Sequence, residues 1–96
     1  MHMETGQIRI LIVDDDEQIL HLLRAILEQE GYAVDAVTDG YAALAAFNPE
    51  IHDLVITDIV MPGKEGIETI MELRALRPDV PVIAISGGGR IGAEDY

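Results

Sequence analysis

The 96 residues contain no cysteine, which excludes disulfides and thiolate metal sites. No apolar run is long enough to span a bilayer. No charged-then-apolar N-terminal pattern marks a signal peptide. A cytoplasmic protein with no membrane contact is therefore expected. Basic residues are scarce, with 6 Lys and Arg against 18 Asp and Glu, for a net charge of -12. Without a basic stripe to displace counterions, nucleic acid is excluded as a partner of this domain. The excess acid favours cations and basic protein surfaces instead.

Apolar residues make up 49% of the chain, enough for the core of one small domain. Residues 1–7, which begin Met1-His2-Met3, read as a disordered or cloning-derived tail; residues 8–96 form the domain. A nearly continuous aliphatic run over residues 8–13 predicts a strand covered on both faces. Apolar residues at helical spacing predict a helix over 17–30, capped by Asp15 or Asp16 and stopped by Gly31. Residues 32–38 form a weaker strand suited to a sheet edge, and an alanine-rich helix over 41–47 follows. A third strand covers 53–57, a third helix 67–76, and a fourth strand 80–86. Pro81 sits near the start of that last strand, where a missing N–H is tolerated. The order β-α-β-α-β-α-β implies an α/β fold with a doubly wound parallel sheet.

In such a sheet, ligands bind beyond the carboxyl ends of the strands. Asp14 and Asp15 follow the first strand, Asp58 follows the third and Ser86 ends the fourth. Carboxylates brought to one point repel unless a cation joins them. Mg²⁺ suits an all-oxygen site that keeps several waters. Zinc would want histidine or cysteine, and His2, His21 and His52 lie elsewhere. The plain alternatives are a helix cap for Asp14 to Asp16, favoured for Asp16, and a turn-forming role for Asp58. Lys64 reads as a solvated loop residue, and Gly66 as a glycine allowing a left-handed turn.

The motifs Val13-Asp14-Asp15, Val55-Ile56-Thr57-Asp58-Ile59-Val60-Met61-Pro62, Gly66, and Ser86 after Val82-Ile83-Ala84-Ile85 resemble a response-regulator receiver domain of two-component signalling. The likeness covers about residues 8–89. It implies a flavodoxin-like fold with strand order 2-1-3-4. It also implies that Asp58 accepts a phosphoryl group from a histidine kinase or phosphotransfer protein. Asp14, Asp15, Asp58 and the backbone carbonyl of Val60 would hold Mg²⁺, and the Ser86 hydroxyl would turn onto the phosphoryl group. Such a chain is a phosphoacceptor and switch, not a turnover enzyme. Val60 and Gly88, at positions that influence dephosphorylation in the family, cannot hydrogen-bond a water, so slow loss of phosphate is expected.

The family usually continues with a fifth strand, bearing a lysine, and a fifth helix; neither is expected here, and no lysine follows Lys64. The fourth-strand edge and a face of the first helix are then expected to be bare and to support self-association. Two other readings compete: a receiver-like interaction scaffold with impaired phosphorylation, and a Mg²⁺-dependent aspartyl-phosphate phosphatase. The phosphatase would want an acid where Val60 stands.

Overall fold

A computed structural model of the chain describes residues 6–59 and 66–85. The elements run β1 (Arg9–Val13), α1 (Glu17–Gln29), β2 (Ala33–Val37), α2 (Gly40–Ala46), β3 (Leu54–Asp58), α3 (Gly66–Leu76) and β4 (Val82–Ile85). The four strands are parallel and lie in the order β2-β1-β3-β4, as the resemblance implies. Parallel neighbours need crossover connections, and the helices supply them.

Side-chain alternation along β1 divides the core in two. Leu11 and Val13 face one way and pack with Ala43 and Phe47 on the α2 side, Val55, and Leu73 of α3. Ile10 and Ile12 face the other way and pack with Leu20 of α1 and Val34. A strand apolar on both faces is what the nearly continuous aliphatic run demanded. The more polar β2 takes an edge position, as expected.

Local chemistry sets the ends of α1. The Asp16 carboxylate accepts the N–H groups of Gln18 and Ile19 and caps the helix. At the other end Gly31 turns left-handed, with φ of 97°. Its N–H donates to the Glu28 carbonyl, while the Tyr32 N–H reaches back to Leu27, the paired bonds of a Schellman stop. Asp39 caps α2 by accepting the Ala42 N–H at 2.7 Å. The fourth strand is shorter than expected: it starts at Val82, with Val80 buried before it and the Pro81 carbonyl accepting the Val55 N–H.

At the amino ends of the strands, His52 ties several elements together. It is 1% exposed and stacks on Phe47. Its Nδ1 accepts the Asn48 N–H at 2.9 Å, so its proton sits on Nε2, 2.8 Å from Asp35 Oδ2. Arg9 donates to both oxygens of Asp35, and Arg77 donates to the His52 carbonyl. Leu22 and Ile26 on α1, and Ile83 on β4, are exposed. Among the described residues no helix is long and apolar enough to cross a membrane.

Candidate functional site

Strand register builds the site. Val13 of β1 pairs with Thr57 of β3, so the next residue of each strand, Asp14 and Asp58, stands beside the other. Both continue the even-numbered parity of Ile10, Ile12 and Ile56, which is the α1 face of the sheet. The chain then enters α1 through Asp15 and Asp16. Carboxylate oxygens of Asp14, Asp15 and Asp58 all lie within 4.8 Å of one another. Asp14 and Asp58 are buried, at 1% and 2% exposure, while Asp15 is exposed at the rim.

Asp14 is the most constrained of the three. Its Oδ1 accepts the Asp16 N–H at 2.8 Å. Its Oδ2 is buried with no hydrogen-bond partner among the described residues. Burial pushes the Asp14 carboxyl above the usual range, and the neighbouring charges of Asp58, Asp15 and Asp16 push the same way against the Asp16 hydrogen bond. A buried carboxylate oxygen without a donor, on a residue clustered with two other carboxylates, fits a hard cation with oxygen ligands. The donor set contains neither nitrogen nor sulfur, so Mg²⁺ suits it better than zinc.

The backbone after Asp58 is held from two sides. The buried Thr57 hydroxyl donates to the Asp58 carbonyl at 3.0 Å. A Cβ on Gly66 would lie 2.3 Å from that same oxygen and 2.3 Å from Ile59 Cα. Gly66 is the first residue of α3 and has no positive φ. The left-handed turn expected of it is thus corrected: glycine stands here because helix and strand backbones touch. Ile59 donates its N–H to Ile85 and accepts the Gly66 N–H, closing the chain between β3 and α3.

The structure thus brings together Asp14, Asp15 and Asp58, and assigns Asp16 to capping. Val60, Lys64, Ser86 and Gly88 lie outside the described residues. Sequence reasoning missed Thr57, whose signal was a hydroxyl in an otherwise aliphatic strand interior.

Known proteins share this fold. The model of the response regulator receiver domain family matches residues 10–93. Transcriptional regulatory protein RprY of Bacteroides fragilis is 35% identical over 99 residues, covering 94% of this chain and 42% of that protein. The chain therefore spans less than half the length of such relatives. The response regulator TrrA from Thermotoga maritima, solved in complex with Mg(2+)-BeF, is 37% identical with a TM-score of 0.78, over 93% of this chain and 79% of that one. A structure of TrrA with the histidine kinase ThkA gives 41% identity and a TM-score of 0.78, over 84% of this chain and 70% of that one. The match runs through both carboxylate-bearing strands, and on that ground the chain belongs to the response regulator receiver domain family.

Proposed function

We infer that this domain is a phosphoacceptor that takes a phosphoryl group onto Asp58 from a histidine kinase, in a Mg²⁺-dependent reaction. The observation that carries the reading is the three-carboxylate cluster with its partnerless Asp14 oxygen. TrrA, similar over most of the chain, has been solved with Mg(2+)-BeF and with a histidine kinase, which supports both halves of it.

Asp14, Asp15 and Asp58 would hold the ion, together with the carbonyl of Val60. Bound there, Mg²⁺ would neutralise charge on the transferring oxygens and mask the repulsion among the carboxylates. An Asp58 oxygen attacks phosphorus, the P–N bond to the kinase histidine breaks, and the imidazole leaves with the electron pair. Burial of Asp58 limits water at the nucleophile, and the exposed Asp15 marks the open side of the pocket. The Ser86 hydroxyl would then bond the phosphoryl group and report it. The domain acts as substrate and switch rather than turnover enzyme, a role that fits the cytoplasm.

Incubation with acetyl phosphate and Mg²⁺, read by intact mass, tests this. One added phosphoryl group, lost in Asp58→Asn, is expected. No adduct with Mg²⁺ still bound would point to an interaction scaffold. Steady release of phosphate from simple esters would point to a phosphatase.

Exposed Leu22, Ile26 and Ile83 also support self-association of the 96-residue chain with a second copy. Light scattering should show mass rising with concentration, and a constant monomer at high concentration would contradict it.

A further inference from the structure

Thr57 does not belong to the pocket. Its parity is odd, so its side chain points to the opposite sheet face from the carboxylates, the face that carries Val13 and Val55. It is 0% exposed. A valine would suit that apolar surrounding, and a buried hydroxyl is costly unless it is hydrogen-bonded. The bond it makes is to the carbonyl of Asp58, at 3.0 Å.

That carbonyl lies at a junction. It belongs to the last residue of β3, and Gly66 backs directly onto it. The next residue, Ile59, is tied to β4 by its N–H and to α3 by its carbonyl. The peptide between Asp58 and Ile59 therefore fixes the backbone that carries the nucleophile.

We propose that Thr57 is a positioning residue, its hydroxyl clamping the Asp58 carbonyl against Gly66 so that the Asp58 carboxylate stays beside Asp14 and Asp15. The hydroxyl acts through the backbone and never touches ion or phosphate. Valine keeps the shape of threonine and loses the donor; serine keeps the donor and loses a methyl. The hydroxyl and the packing thus come apart experimentally.

The inference rests on the Mg²⁺-dependent reading above. The test compares wild type, Thr57→Val and Thr57→Ser in three measurements. These are Mg²⁺ affinity from amide NMR shifts, the labelling rate with acetyl phosphate at saturating Mg²⁺, and the thermal midpoint without Mg²⁺. Thr57→Val should bind Mg²⁺ about three- to tenfold more weakly, the scale of one hydrogen bond, and label more slowly, with an undiminished midpoint. Thr57→Ser should stay within about twofold of wild type in both, since it keeps that bond. Wild-type behaviour of Thr57→Val overturns the clamp and leaves the proposed function standing. Equal weakening in both variants overturns it as a packing effect. A wild-type chain that binds no Mg²⁺ overturns both readings together.

Discussion

The Asp14 carboxylate accepts the Asp16 N–H through its Oδ1 at 2.8 Å, and that same Asp16 caps α1. One short contact thus orients a site carboxylate and couples it to the start of a helix. The other Asp14 oxygen remains buried and unpaired.

That arrangement costs stability when no cation is bound. The Asp14 carboxyl is raised by burial and then by its acidic neighbours, so its ionised form is less favourable in the folded state than in the unfolded chain. A raised carboxyl has its stability deficit above its folded value, and the deficit disappears as pH falls through it. Asp14→Asn should therefore stabilise the metal-free protein, by about 1 kcal/mol. It should also weaken Mg²⁺ binding more than about tenfold, as losing an ion ligand would. Urea unfolding with and without Mg²⁺ checks both: added Mg²⁺ should stabilise wild type and do little for the variant.

Gly66→Ala should be severe for so small a change. The new methyl meets two backbone groups, at Asp58 and Ile59, neither of which can rotate away. A loss of about 1–3 kcal/mol is expected from the overpacking, with a fall in Mg²⁺ affinity because Asp58 must shift. A left-handed glycine would predict rescue by asparagine; here Gly66→Asn should be worse than Gly66→Ala. Denaturant midpoints of the two variants decide it.

His52 should matter for folding and leave the site alone. Its ring bonds Asn48 and Asp35 and stacks on Phe47, at the opposite end of β3 from Asp58. His52→Ala should destabilise by about 3 kcal/mol through the cavity and the orphaned partners. Mg²⁺ affinity of the folded variant should be unchanged.

Asp35 should shape the acid limb of stability. Burial pushes its carboxyl up, but the hydrogen bonds from His52 and Arg9 and the charge of Arg9 prevail and hold it below the usual range. A lowered carboxyl contributes stability that is full above the unfolded value and lost as pH falls through the folded one. Asp35→Asn should flatten the decline in melting temperature below about pH 4, the ordinary carboxylate range. An unchanged acid limb would contradict the assignment. Half-exposure of the side chain keeps the effect modest.

Much of this was legible in the chain. Four apolar runs and three helical patterns fixed the element order, and the acids that end two of those runs marked the site. Asp16 was readable as a cap because its spacing from the helical pattern is local. Gly66 was misread because a glycine in a loop suggests a turn, whereas its reason is a backbone contact eight residues back in sequence and visible only in space. His52 carried little local signal: of its hydrogen-bond partners only Asn48 is near in sequence, while Asp35 and Arg77 are distant. Thr57 looked like an ordinary β-branched strand former, since the bond that distinguishes it depends on which way the hydroxyl points. The strand-end position put Ser86 near the site, but only the resemblance to receiver domains carried its role and Val60.

The most direct measurement is the location of the phosphoryl group itself. The protein, labelled by acetyl phosphate with Mg²⁺, is reduced with borohydride, which converts an aspartyl phosphate to homoserine, and is then sequenced by peptide mass spectrometry. The account predicts homoserine at position 58 alone, with the signal lost when Mg²⁺ is chelated. Homoserine at Asp14 or Asp15, or labelling of Asp58 that ignores chelation, would contradict it.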